Sequence, residues 1–488
     1  MLESRNFYVY IDEKFRDWII DEFDQGRDLL SIKKQIRART NLNVDMDQIR
    51  EAIVLSYVDS GESEKAFQLA CLFRDQSPSA NIHNTVLKCM LSSWEYSQQL
   101  FLEESRKWAA LYANERVGKF AGYSNAKPRI GFVCDYGSTV FGENAIFPLC
   151  HSLSKSGFEV YYYNFERIVF SINDDSINIL NGHDLSSAAL SQRIKKDKVD
   201  ILVDLNGRLR EHHRLGVFAQ RSAPVQVNYF NLVGTMGMQN YDYMVVDGVQ
   251  VTRSDEQYYT ERALHLPCGV NGAFAFKRDV EIVIPDRAPG APFTFASFNA
   301  FFKINTVLLE TWAEILRRVP DSRLVIKCHE TNRNRVIKKI AKVFSRSGID
   351  LGRILIEGWS SLLHLRRQYA EVDLCLDTFP YSGGSTTLNA LWQGVPVLTW
   401  CGEGWRARTS ASMLQAAGVG EMAVSDRKDY VEAAVQFARD FRRSGEMRYF
   451  LKTNIGTNAY FQPERVYGEL ATALKAVVRR DDEALHAM

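Results

Sequence analysis

The sequence predicts an α/β protein with two Rossmann-like lobes in tandem behind an all-helical N-terminal domain. Apolar residues recur at helical spacing through the first hundred residues, and short apolar strands then alternate with helices in two successive series. A Pro- and Gly-rich break separates the two series. At 488 residues the chain is too long for one core, at roughly 150 residues per domain. The spans expected are 1–121 for the helical domain, 128–284 for the first lobe and 293–478 for the second.

From Glu13 to Ala113 the apolar positions, Phe15, Trp18, Ile19 and Phe23 and later Ala66, Leu69, Ala70 and Phe73, follow a helical stripe. Tyr57, Gly61, Ala66 and Pro78 fall roughly where a tetratricopeptide helix pair would place them, without a second copy at that period, so the region reads as one degenerate tetratricopeptide-like unit or as generic helical packing, which is the preferred alternative. This region is expected to pack on the first lobe or to position an acceptor. GYSNAKP, from Gly122 to Pro128, is a linker before the strand RIGFVC at Arg129. FEVYYY (Phe158), DILVDL (Asp200), VQVNYF (Val225) and YMVVD (Tyr243) complete the first series, as expected of a parallel sheet with right-handed crossovers. VIPDRAPGAP, from Val283 to Pro292, reads as a hinge. The second series runs through TFASF (Thr294), a helix from Asn305 to Val319, RLVIKC (Arg323), RILIEG (Arg353), DLCLD (Asp373) and PVLTW (Pro396). In such lobes the carboxyl ends of the strands are where a ligand is expected.

Composition narrows the function. Sixty basic residues against 59 acidic ones leave a net charge of +1, which gives no footprint for a nucleic-acid partner. The eight cysteines are scattered, with no Cys-x-x-Cys and no His cluster at ligand spacing, so reduced and mostly buried thiols are expected. The start MLESRNFYVYIDEKFRDW lacks the basic and apolar regions of a signal peptide, and no window is long and apolar enough to insert in a membrane. A cytoplasmic location is the expectation.

The strongest local signal is DLCLDTFPYSGGSTTLNALWQGVP, in which a strand ends at Asp377 and a helix opens at Gly383, Gly384, Ser385, Thr386 and Thr387. Glycines let an anion approach, and the first backbone amides and hydroxyls of a helix can bind phosphate; an ordinary helix cap would have the same residues. Lys303, between a strand and a helix capped by Asn305, could meet the same phosphates, or be a solvated surface charge. His364, on a helix before the Asp373 strand, is either structural or near the nucleotide. Asp135 and Glu143, after the first strand, are general-base candidates or ordinary loop carboxylates. No Asp-x-Asp stands in a loop after a strand, which argues for chemistry without a metal ion.

From about Asn81 to Tyr467 the chain resembles the catalytic region of the O-GlcNAc transferase-like proteins, glycosyltransferase family 41. The resemblance rests on NIHNTVLKCMLSSWEYSQQLFLEESRKWAALYA, RIGFVCDYG, DILVDLNGRL, FAQRSAPVQVNYFNLVGTMG, YDYMVVD, FASFNAFFKI and TWAEILRRVPDSRL. Its most extended block is VDLCLDTFPYSGGSTTLNALWQGVPVLTWCGEGWRARTSASML. It implies a GT-B fold of two facing lobes, inverting and metal-independent transfer, and a nucleotide-sugar donor held by the second lobe. No further cofactor is implied. Lys303 takes the place of the family's phosphate lysine, and Ser385 and Thr386 that of its paired threonines. Asn389 stands where the family has an acidic residue on the ribose. His364 falls one position short of the family histidine near the base. Thr139 replaces a family histidine, Ala300 a glutamine, and Arg208 a histidine or tyrosine; with Asp135, Glu143 and Gly234 these are the candidates for the acceptor or sugar pocket.

The expected activity is transfer of a hexose or N-acetylhexosamine from a UDP-sugar to a protein side chain, with Lys303 as the catalytic cation that stabilises the leaving group. The departures at Thr139, Ala300 and Asn389 motivate a second reading, in which another donor such as a CMP-nonulosonic acid serves flagellin or surface-protein glycosylation. A third is a binding or scaffold protein without turnover.

Overall fold

The computed structural model describes residues 13–40, 42–115, 120, 122–135, 142–165, 175–208, 214–230, 233–270, 290–328, 333–358, 360–454, 457–458 and 461–479. They divide into two compact units, each assembled from three stretches of chain. The expected hinge lies mostly outside the described residues.

The unit formed by 97–281, 403–420 and 453–488 is built on a seven-stranded sheet. Its strands are β1 (Arg129–Cys134), β2 (Glu159–Asn164), β3 (Ile177–Asn181), β4 (Ile201–Asp204), β5 (Val225–Asn228), β6 (Tyr243–Val246) and β7 (Arg262–His265). They run in the order β3-β2-β1-β4-β5-β6-β7, every pair parallel. The central strands are buried on both faces, which is why IGFVC and ILVD read as unbroken apolar runs. The helix Phe147–Lys155 connects β1 to β2 and packs on the C-terminal helix Pro463–Arg479. The helix Gln98–Trp108, capped by Ser97, also belongs here. A Cβ at Gly237 (φ 66°) would stand 2.6 Å from the Ser105 Cβ, so this helix demands glycine at that turn.

The unit formed by 1–96, 282–402 and 421–452 carries a six-stranded sheet. Its strands are β8 (Phe293–Ser297), β9 (Ser322–Lys327), β10 (Ile354–Glu357), β11 (Leu374–Leu376), β12 (Val397–Trp400) and β13 (Ala423–Val424). The order is β10-β9-β8-β11-β12-β13, again with every pair parallel. Five helices, Glu13–Asp24, Leu29–Thr40, Met46–Asp59, Ser63–Gln76 and Ala80–Met90, bring the N-terminal stretch into this unit, where Ile19, Ala66, Ala70 and Phe73 are buried. Met46–Asp59 starts in a reciprocal capping box between Asp45 and Gln48. The helical stretch, expected as one domain over 1–121, is thus divided at Ser97, its first part grouping with the six-stranded sheet and the helix Gln98–Trp108 with the seven-stranded one. Among the described residues no helix is long and apolar enough to cross a membrane.

Candidate functional site

The strand order of the six-stranded sheet reverses between β8 and β11, so the loops after these two strands leave from a switch point. The β8 loop carries Asn299 and the short turn Phe301–Lys303, and Asn305 then caps the helix Thr306–Arg318 by accepting the Leu308 amide at 2.9 Å. The β11 loop runs from Asp377 to Gly384 and opens the helix Ser385–Trp392. Asn305 Nδ2 joins the loops by donating to the Phe379 carbonyl at 2.8 Å.

Lys303 Nζ donates to the Ser382 carbonyl at 2.7 Å and lies 4.0 Å from the centre of the Tyr381 ring. Burial pushes its pKa down to about 8, with the Asp377 carboxylate pulling it the other way. An ammonium has three donors, so the bond to this carbonyl leaves capacity for an anion as well. Asp377 is the organiser that sequence reasoning missed. Its Oδ1 accepts from the Gly383 amide at 2.8 Å and from Asn299 Nδ2 at 3.2 Å, and its Oδ2 accepts from Thr399 Oγ1 at 2.7 Å. Asn299 Oδ1 in turn accepts from Thr386 Oγ1 at 2.9 Å. The available signal was an aspartate at the end of a buried strand, six residues before a glycine pair.

The two glycines differ. A Cβ at Gly383 would stand 2.8 Å from Asp377 Oδ1 and 3.0 Å from Thr386 Oγ1, whereas one at Gly384 would meet nothing within 4 Å. Gly383 is needed for packing, and Gly384 leaves open space at the helix start. An α-helix leaves its first amides without intrahelical acceptors and carries partial positive charge there. Ser385 is exposed and Thr386 half-buried at this end, while Thr387 is buried. The open glycine, the helix start and the lysine make an anion cradle suited to phosphate.

Asn389 is buried, and its Nδ2 donates to the Ser385 carbonyl at 2.8 Å, turned back onto its own helix. His364 is exposed on the helix Leu362–Ala370, its amide donating to the cap Ser361. In the seven-stranded unit, Asp135 is buried at the carboxyl end of β1 with its amide on Asn206 Oδ1 at 3.2 Å. Arg208 is buried over the Trp108 ring, 4.2 Å from its centre, and donates to the Met236 carbonyl; burial pushes its pKa down to about 10. Gly234 packs against Phe101, whose ring a Cβ there would enter. Glu143 lies on the turn Gly142–Ile146, and Thr139 lies outside the described residues. Among the described residues no group of three or more His, Cys, Asp or Glu side chains is gathered as a metal site would require.

Two doubly wound parallel sheets with a helical stretch before them, and a phosphate-suited loop at the switch point of the second, define a protein of the GT-B fold class. The model of glycosyl transferase family 41 matches residues 141–271 and 281–468, and the chain belongs to that family. It is 32% identical over 267 residues to a Petunia hybrida protein named "Probable UDP-N-acetylglucosamine--peptide N-acetylglucosaminyltransferase SPINDLY", covering 54% of this chain and 28% of that one. An Arabidopsis thaliana protein with the same enzyme description, SEC, is 29% identical over 334 residues, covering 64% of this chain and 33% of its own length. The chain thus spans about a third of the length of these curated relatives. Among solved structures, a mutant O-GlcNAc transferase of Thermobaculum terrenum superposes with a TM-score of 0.78 at 26% identity, covering 90% of this chain and 85% of that one.

Proposed function

We propose that this chain is a glycosyltransferase that moves a hexose or N-acetylhexosamine from a UDP-sugar to a protein side chain, with inversion and without a metal ion. The observation that carries the reading is the convergence of the Lys303 ammonium and the open Gly384 helix start at one switch point. Membership of family 41 supports the reaction class, and the names of the plant relatives support the UDP donor and the peptide acceptor. In a single displacement the acceptor oxygen bonds the anomeric carbon as the bond to the diphosphate breaks. The electron pair leaves with UDP, and the acceptor proton passes to a base. Charge therefore grows on the diphosphate, where Lys303 and the helix amides neutralise it without reorganising. The Asp377 network holds both loops in that geometry.

Calorimetric titration with UDP, CMP and GDP tests the reading. UDP is expected to bind best, and Lys303→Ala to weaken it by roughly 10- to 100-fold, the worth of a charge-assisted hydrogen bond. Preference for CMP would overturn the UDP donor in favour of a CMP-nonulosonic acid, for which the inward-turned Asn389 amide is the favouring observation. Absence of any nucleotide binding would leave a scaffold role.

A further inference from the structure

We infer that the N-terminal helical stretch positions the donor phosphates, with Trp94 and Gly61 as positioning residues that act through the two loops of the cradle. The inference rests on the donor reading above and adds to it a part of the chain that the phosphate motif does not contain.

Gly61 turns the chain between the helices Met46–Asp59 and Ser63–Gln76 at φ 71°, and a Cβ there would run into the Ile304 carbonyl oxygen and come within 3.1 Å of the Phe301 ring. Ile304 follows Lys303, so this glycine lies against the back of the turn that carries the ammonium. Lys339 Nζ closes the contact by donating to the Gly61 carbonyl.

The second contact is aromatic. The Trp94 ring lies 5.1 Å from Phe379 and 5.7 Å from Trp400, and Phe379 stacks on Trp400 at 3.9 Å with planes 7° apart. Phe379 belongs to the β11 loop, five residues before Gly384. Trp94 is itself tied to the helical stretch, since its amide donates to Glu64 Oε1 at 3.2 Å. The Phe379 carbonyl accepts from Asn305, so the Gly61 and Trp94 contacts brace one connected unit from behind. Rings in such an arrangement lose little freedom on ordering and hold the backbone they flank. A pre-ordered cradle binds more tightly because ordering costs nothing further when the ligand arrives. The gain falls on the phosphates, because both braced loops carry groups that the donor reading assigns to them.

The test uses the full chain as wild type, Trp94→Ala, Trp94→Phe and Gly61→Ala. UDP and uridine are titrated, and hydrogen exchange of the Gly383 amide, which donates to Asp377, is followed without ligand. Trp94→Ala is expected to weaken UDP by roughly tenfold, the equivalent of one lost aromatic contact. It should leave uridine unchanged and speed Gly383 exchange, while Trp94→Phe restores most of both. Gly61→Ala, acting on the other loop, should also weaken UDP more than uridine. Unchanged Gly383 exchange, or equal losses of UDP and uridine, would overturn the positioning role. A wild-type protein that binds uridine but gains nothing from the diphosphate would overturn the donor reading itself, and the exchange result would still decide whether Trp94 orders the loop.

Discussion

At Gly383 and Gly384 two identical neighbours have opposite reasons to be glycine. Gly383→Ala forces a methyl group against Asp377 and Thr386, and is expected to cost about 1–3 kcal/mol of stability, as overpacking does. Gly384→Ala places the same methyl in open space at the helix start, so the melting temperature should change little while UDP affinity falls at least about tenfold. Paired thermal melts and titrations check both. Lys303 sets a pH dependence. Because burial holds it near 8, below its ordinary 10.5, the ammonium proposed to meet the diphosphate loses its proton as pH rises through that value. UDP affinity should be flat near pH 7 and fall by up to about tenfold per unit above pH 8. Folding responds in the opposite sense. Between 8 and 10.5 the unfolded chain holds more protons at this lysine, so its contribution to stability of the unliganded protein rises with pH. Lys303 and the glycine pair could be singled out as candidates in the sequence because type and position along one strand–turn–helix suffice for that. The sequence did not expose Asp377, Asn299 or Thr399 as one network, since hydrogen bonds between separate strands leave no local pattern.

Strands were legible where an apolar run is unbroken, including the half-buried edge strand β10. The runs that become β1, β4, β8 and β11 have both faces covered and little polar interruption. β3 and β7 lie at sheet margins, where exposure is mixed and polar residues hide them, and β13, also at a margin, is only two residues long. Helix starts were readable through their caps, as at Asn305. Which helices meet was not readable. Asp255, in the β6–β7 connection, accepts from Gln98 of one helix at 2.8 Å and from Arg408 of another at 2.5 Å. Burial would raise its pKa, but these bonds and those from Thr252 outweigh it and hold the carboxyl at about 2. A carboxylate depressed in the folded state adds stability above its ordinary pKa and loses it as pH falls toward the folded value. Asp255→Asn should therefore melt lower than wild type at pH 7, by a few degrees, with the gap closing between about pH 4 and 2.

For the whole molecule, residues 1–96 belong to the same compact unit as the six-stranded sheet, and their contacts with Ile304 and Phe379 replace solvent behind the cradle. A chain beginning at Ser97 is expected to lose UDP binding and to melt more than about 10 °C lower, because a unit deprived of that much packed surface loses several kcal/mol. Calorimetry of the truncated chain checks this; an unchanged melt would show that the sheet folds without its helical partner. By itself the sequence determined the α/β class and the two strand series, and it singled out the lysine and the glycine turn as candidates. These follow from hydrophobic period, cap chemistry and local backbone demands, which act over a few residues. Only the tertiary structure decided that the helical stretch divides at Ser97 between two sheets, that Asp377 gathers the loops, and that Gly61 and Trp94 stand behind them. Such pairings arise from surface complementarity between segments hundreds of residues apart, and that is a property of the packed chain rather than of any window of it.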